Sequence, residues 1–363
     1  WAVLTVALWL PLLSGRLTIP SSFAPIEWHA HELIYGYVPA VVAGFLLTAV
    51  PNWTGRLPVT GTPLLALVLL WLAGRIGILL SGWIGSVAAA AIDIAFLMVL
   101  GAVIARELAA GKDTRNLKVL IGVLVLLGGN LVFHIEAGFA AGDGYGLRIG
   151  IAATLTLIMM IGGRIVPSFT RNWLARRGQG RLPQQFGTFD KIAIAAGIVA
   201  LSSWVVGPQH AVTGVLCAAA SLFQMIRLAR WAGDRTTGEP LVLILHLAYA
   251  FVPLGFALVA FGILQPSMLA PSTALHAWTV GAIGLMTLAV MTRASLGHTN
   301  RPLTATPATQ LVYLCIFVAA IARLAATYDP AREVMLHVSA AAWIMAFAGF
   351  VAVYGPMLVR ARA

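Results

Sequence analysis

The side chains in this sequence best suited to chemistry are its eight histidines. Two stand in Trp28-His29-Ala30-His31-Glu32, a third closes Asn130-Leu131-Val132-Phe133-His134, and a fourth sits in Ala274-Leu275-His276-Ala277-Trp278. His210, His246, His298 and His337 complete the set. Imidazole is the usual protein ligand for heme iron and for copper, so histidines brought to one level would form a metal site. His29 and His31 are two residues apart, and on a regular helix they point about 200° from each other. They would not share one metal face unless that turn is irregular. One could hold an iron while the other turns to a neighbouring site or to Glu32.

The elements that must position these residues are long apolar runs. Of 363 residues, 60% are hydrophobic and 10% charged, whereas soluble domains carry about 25% charged residues. The runs predict helices at 1–14, 30–50, 63–81, 86–106, 117–138, 145–167, 187–206, 209–231, 240–263, 272–293, 307–327 and 333–358. That is about twelve spans of bilayer length. They are apolar on every face, which excludes a barrel. The fold expected is an all-α polytopic membrane protein, one transmembrane domain over residues 1–363. The formal charge of +11 could suggest nucleic acid. The basic residues fall between apolar runs, however, where membrane topology puts them, so no nucleic-acid partner is expected. Cys217 and Cys315 lie inside apolar runs and offer neither a disulfide framework nor a thiolate metal motif. The chain opens at Trp1 inside a run already under way, so the natural N-terminus is expected upstream, with this one truncated.

Loop charges set the orientation. Arg106, Lys112, Arg115 and Lys118 follow the fourth helix, Arg171, Arg176, Arg177 and Arg181 the sixth, and Arg227, Arg230 and Arg235 the eighth. Arg293 and Arg301 follow the tenth, and Arg360 and Arg362 end the chain. The alternate links are short and poor in Lys and Arg, so the even-numbered links and both termini are expected to be cytoplasmic. This order places His29, His31, His134 and His276 at one outer level, on helices two, five and ten, where they could converge on one or two metals. His210 and His337 also face outside, while His246 and His298 lie on the inner side. Ionisable groups at membrane depth are functional candidates. The plain alternative is a polar anchor at the interface, which suits His210 and His337 best. Arg75 and Asp93 lie at similar depth on antiparallel neighbours and predict a structural ion pair. Arg164 would snorkel to the inner surface, and Arg148 is better placed to meet a heme propionate. Helices two, six and ten close in related text: Val50-Pro51-Asn52-Trp53-Thr54-Gly55-Arg56, Val166-Pro167-Ser168-Phe169-Thr170-Arg171 and Met291-Thr292-Arg293. Three four-helix repeats would fit; the alternative is ordinary membrane exits rich in Pro, Thr and Arg.

Trp28-His29-Ala30-His31-Glu32, followed by Ala43-Gly44-Phe45-Leu46-Leu47-Thr48-Ala49-Val50-Pro51-Asn52-Trp53-Thr54-Gly55-Arg56, closely resembles the NnrS family. Gly163-Arg164-Ile165-Val166-Pro167-Ser168-Phe169-Thr170-Arg171-Asn172-Trp173 is a second match. A third runs from Leu275-His276-Ala277 through Gly281-Ala282-Ile283-Gly284 to Met291-Thr292-Arg293 and Gly297-His298, and Glu239-Pro240-Leu241 leading to His246 is a weaker one. The resemblance covers nearly the whole chain. It implies a heme- and copper-containing inner-membrane protein of bacteria, associated with denitrification and with tolerance of nitric oxide. A more distant likeness is to the heme-copper oxidase core subunit, where a low-spin heme hangs between histidines of helices two and ten. His29 precedes Pro39 and Gly44-Phe45 at similar spacing. That family needs copper-binding histidines on helices six and seven, and this chain has none there, so oxygen-reductase chemistry is not expected. If copper is bound, His31 and His134 are the natural outer candidates.

The expectation is therefore a b-type heme held by His29 (or His31) and His276 near the periplasmic side, with copper beside it. Nitric oxide would be the ligand, reaching the site through the lipid bilayer, and the electron donor is unknown. Whether the chain reduces, senses or sequesters nitric oxide stays open, as does the metal each of His29, His31, His134, His246, His276 and His298 would take. The runner-up is a twelve-helix secondary transporter without a redox cofactor, and a third option is a structural partner of another redox complex.

Overall fold

The computed structural model describes residues 1–138, 142–327 and 332–359; Arg360 and Arg362 lie outside the described residues. Twelve apolar helices follow in chain order. They are α1 (Ala2–Leu13), α2 (Pro25–Thr54), α3 (Thr62–Leu79), α4 (Ser86–Ala110), α5 (Leu117–Gly138) and α6 (Tyr145–Leu174), then α7 (Thr188–Val206), α8 (Ala211–Ala229), α9 (Pro240–Leu264), α10 (Pro271–His298), α11 (Pro307–Ala325) and α12 (Arg332–Val359). Among the described residues, eleven helices are long and apolar enough to cross a membrane, and α1, with 12 residues, is shorter. Side chains such as Leu69, Ile121, Val199 and Leu314 stand more than half exposed on their surfaces. In water this would be a liability; against acyl chains it is the outer face of a membrane protein.

The largest departures from the apolar runs are at α2, α6 and α10, which continue past the sequence-expected ends at 50, 167 and 293. Pro51 and Pro167 sit inside these helices. A proline removes one backbone hydrogen bond but need not stop a helix buried among others. The stop on α2 comes instead from Gly55, whose φ of 69° is the left-handed cap and whose N–H bonds to the Pro51 carbonyl at 2.9 Å. At the other end, α2 begins earlier than the apolar run because Pro25 opens the first turn and the Glu27 carboxylate accepts the Ala24 N–H at 3.0 Å.

These three helices, the ones with related closing text, also share a π-helical segment: Glu32–Tyr37 in α2, Ile158–Gly162 in α6 and Ala277–Gly284 in α10. A π segment widens the turn and turns carbonyls away from the regular ladder. The freed groups are used. The Gly36 carbonyl accepts from Trp71 Nε1 at 2.8 Å, and the Met159 carbonyl accepts from Arg227 Nη1 at 2.9 Å. The segments of α2 and α10 follow 7 and 6 residues of regular helix, and that of α6 follows 13.

The contacts divide the chain into two compact units, Trp1–Thr154 and Leu155–Ala363. In the first, α3 and α4 form a tight hairpin, α2 packs on α4, and α5 closes against α4. In the second, α9 is central: 67% of its most apolar window is buried, against 33% for α7. It packs on α8 and along α10, while α11 and α12 form a hairpin. This unit has a buried knot. Arg227 Nε donates to Asp190 Oδ1 at 2.9 Å, and its Nη1 donates to the Tyr249 hydroxyl at 2.8 Å. The Tyr249 hydroxyl donates to Gln224 Oε1 at 2.7 Å. A methyl group on Gly163 would lie 2.1 Å from Arg227 Nη2, so only glycine lets the guanidinium lie against α6 there.

Candidate metal centre

His31 ends the regular first part of α2, and the π segment starts at Glu32. The two side chains interact directly: Nδ1 of His31 lies 3.0 Å from Oε1 of Glu32. Both residues are fully buried. Across from them, α4 supplies Asp93 and α5 supplies Asn130 and His134, which are four residues apart and so on one helix face.

Oδ2 of Asp93 is the hub. His31 Nε2 lies 3.2 Å from it, His134 Nε2 lies 3.0 Å from it, and Asn130 Nδ2 donates to it at 2.8 Å. Asn130 Oδ1 also faces His31 Nε2 at 3.1 Å. Arg75 of α3 joins the carboxylates, with Nη1 donating to Glu32 Oε1 at 2.5 Å and Nη2 paired with Asp93 Oδ1. The expected Arg75–Asp93 ion pair is present and has a third member in Glu32. A methyl on Gly36 would lie 2.5 Å from Arg75 Nη1, so this glycine keeps the path of the guanidinium open. One ligand atom each from His31, Asp93 and His134 falls within 4.8 Å of the others, close enough that the three could hold a metal ion.

Two features of the donor set fit a cation there. Both ring nitrogens of His31 face oxygen acceptors. That arrangement requires either two N–H groups or one N–H and a cation. With Nδ1–H directed at Glu32, Nε2 is free to be a ligand, the carboxylate–histidine–metal relay that fixes tautomer and ring orientation. With both imidazoles neutral the charge also falls short: Glu32 and Asp93 oppose only Arg75, leaving one negative charge in a buried site. Buried charge of this kind is costly unless balanced. Two imidazoles and a carboxylate suit several first-row metals, iron, copper and zinc among them.

Aromatic rings enclose the centre. The His31 and His134 rings lie 5.1 Å apart, Phe133 lies 5.2 Å from His31, and Tyr35 lies 5.6 Å from it. Phe23 touches both imidazoles, at 5.1 and 5.6 Å. Tyr35 is held by its hydroxyl, which donates to the Gly146 carbonyl at 2.5 Å.

The remaining histidines go elsewhere. His29 stacks on Trp9 of α1, with centroids 4.3 Å apart and planes 24° apart. The divergence expected from the two-residue spacing is thus present: His31 faces α5 and His29 faces α1. His276, at the entrance to the π segment of α10 in the second unit, donates Nδ1–H to the Ser272 carbonyl at 2.6 Å. That bond leaves Nε2 as the lone-pair nitrogen. The Thr273 hydroxyl, buried one turn earlier, has no partner among the described residues. His246 Nε2 lies 2.8 Å from the Thr170 hydroxyl, which itself bonds to the Val166 carbonyl. His298 is exposed at the end of α10, and no contact joins it to His246 among the described residues. His210 precedes α8 and His337 bonds to its own helix backbone, both exposed, in keeping with anchors. Arg148 bonds to the Asp143 carbonyl at 2.6 Å and lies over the Tyr145 ring at 4.7 Å.

Sequence reasoning missed three participants. Asp93 stood out only as an ion-pair partner, yet it is the hub. Asn130 carried a signal in its four-residue spacing from His134. Phe23 carried none, because it comes from a loop.

The eleven long apolar helices make this a multi-pass membrane protein. No curated relative matches the chain. The family model described as NnrS protein matches residues 1–362, essentially the whole sequence, and that family links the chain to nitric oxide. By this match, over all the helices just described, the protein belongs to the NnrS family.

Proposed function

We propose that this chain is a metalloprotein of the bacterial inner membrane that handles nitric oxide, with copper held by His31, His134 and Asp93. The observation that supports this most is His31: its two ring nitrogens face a carboxylate on one side and the two other ligands' meeting point on the other. Glu32 orients the ring and Arg75 holds both carboxylates in place. Heme b is the second cofactor in this reading. His276, its tautomer set by Ser272, and His29, turned away from the copper centre, are each a candidate to hold its iron. Arg148 is the candidate for a propionate. Heme, when bound, would supply an iron that takes nitric oxide as a ligand, and copper would supply a metal that exchanges electrons. The protein's share is to fix the ligands, exclude water and let a small apolar gas enter from lipid. The electron donor is a partner still to be identified.

Purification of the full chain in detergent tests the proposal. The expected result is about one copper per chain by elemental analysis and a Soret band that shifts with nitric oxide. His31→Ala and His134→Ala should each lose the copper, and His276→Ala should lose the Soret band while keeping the copper. Copper retained in both His31→Ala and His134→Ala would place it elsewhere, and a colourless, metal-free protein would defeat the reading. The transporter alternative finds no support in broken helices: α2, α6 and α10 stay continuous through their π segments.

A further inference from the structure

Phe23 reaches the centre from an unusual place. It lies on the link between α1 and α2, and that link is stitched to the end of α3. The Ser22 N–H donates to Ser81 Oγ at 2.8 Å, and the Ser22 hydroxyl donates to the same oxygen at 3.0 Å. The Ser21 hydroxyl donates to the Ile78 carbonyl at 3.0 Å, and the Gly82 N–H donates to the Pro20 carbonyl at 2.8 Å. Four hydrogen bonds thus pin residues 20–22 to residues 78–82. The next side chain, Phe23, is carried inward until it is only 8% exposed. There it packs against His31, His134 and Phe133 at once.

A loop held this firmly has a consequence for access. His31, Asp93 and His134 offer three ligand atoms, which leaves copper room for another ligand. On the loop side, whatever approaches the two imidazoles meets a benzene ring. A hydrated anion must shed its water to pass apolar surface, which is costly, whereas an uncharged diatomic molecule loses almost nothing there.

We propose that Phe23, set by the serine-stitched strap, is the gate of the His31–Asp93–His134 centre and selects small uncharged ligands over hydrated anions. This inference rests on the reading of that centre as a copper site. It assigns the gate to the link between helices, with the membrane helices supplying the ligands.

The test uses the full chain in detergent, loaded with Cu(II) alone and titrated with sodium azide. Azide binding is read from its charge-transfer band and from the copper electron paramagnetic resonance spectrum. In the wild type, azide should leave both nearly unchanged. Phe23→Ala should bind azide at least about tenfold more tightly. Phe23→Leu, which keeps an apolar plug, should stay close to wild type, and Ser81→Ala, which unpicks the strap, should fall between. Carbon monoxide binding to the reduced copper should be the same in all four. Azide affinities within about twofold across the wild type, Phe23→Ala and Ser81→Ala, with copper bound in each, would overturn the gate and leave the copper site standing. Failure of the wild type itself to bind copper would instead overturn the copper reading and the gate with it. Copper lost from Phe23→Ala, with Ser81→Ala still refusing azide, would make Phe23 a packing residue and also overturn the gate.

Discussion

Asp93 with Arg75 and Asp190 with Arg227 are both buried carboxylate–guanidinium pairs joining consecutive antiparallel helices, one pair in each unit. The charges are exchanged: Arg comes first in the α3–α4 hairpin, Asp first in α7–α8. What surrounds each pair decides its use. In the second unit the further partners of Arg227 are a tyrosine hydroxyl and a backbone carbonyl, and the tyrosine in turn meets an amide, all neutral. One acid meets one base, and the knot ties α6, α7, α8 and α9 together. In the first unit a second carboxylate, Glu32, and two imidazoles join the pair. The charge is short by one, and two ring nitrogens point at one oxygen. The same pair is a rivet in one setting and the frame of a candidate cation site in the other.

The largest effects should come from removing the two aspartates. Asp190→Ala leaves the buried Arg227 guanidinium without its carboxylate, a loss of about 3–5 kcal/mol for a broken buried pair, whereas Asp93→Ala leaves Arg75 still paired with Glu32 and should cost less. Both should lower the unfolding temperature in detergent. Only Asp93→Ala should also abolish copper binding, and copper lost equally from Asp190→Ala would erase the contrast. The arginines sharpen it. Arg75→Met leaves two carboxylates facing each other, so copper should restore part of its stability, by about 2.7 kcal/mol at a hundred times the dissociation constant. Arg227→Met should be destabilised to the same degree with or without copper. A copper-independent unfolding temperature in Arg75→Met would count against the charge argument.

Glu32→Gln should act more gently. The amide still fits beside His31, but the ring loses its carboxylate partner, and copper affinity should fall about 10–100-fold at unchanged stoichiometry. Equilibrium copper titration measures it; an unchanged affinity would remove Glu32 from the site. The smallest effect belongs to Tyr249→Phe. It deletes one acceptor for Arg227 and one donor to Gln224, costing about 1–3 kcal/mol, with copper content untouched.

Much of the fold is legible in the sequence because a bilayer demands runs of about 20 apolar residues and charges outside them. The ends of α2, α6 and α10 were not legible in the same way. Their last turns carry Pro, Asn, Thr and Arg, which read as exits, and only the packing of neighbours keeps them helical. The π segments that these three helices share were not legible either, because no periodicity announces where a helix widens.

At the centre, the division between what the sequence determined and what the tertiary structure decided follows from distance along the chain. Local spacing determined that His29 and His31 diverge and that Asn130 and His134 share a face, because helix geometry is fixed within a turn. Depth in the membrane determined that Arg75 and Asp93 would pair. Only the tertiary structure decided that His31 and His134 meet over Asp93, that Glu32 joins Arg75, and that Phe23 lies across both imidazoles. These meetings depend on how helices rotate about their axes and on where a loop is pinned. Both are settled by packing between residues dozens of positions apart, which the order of residues along the chain does not display.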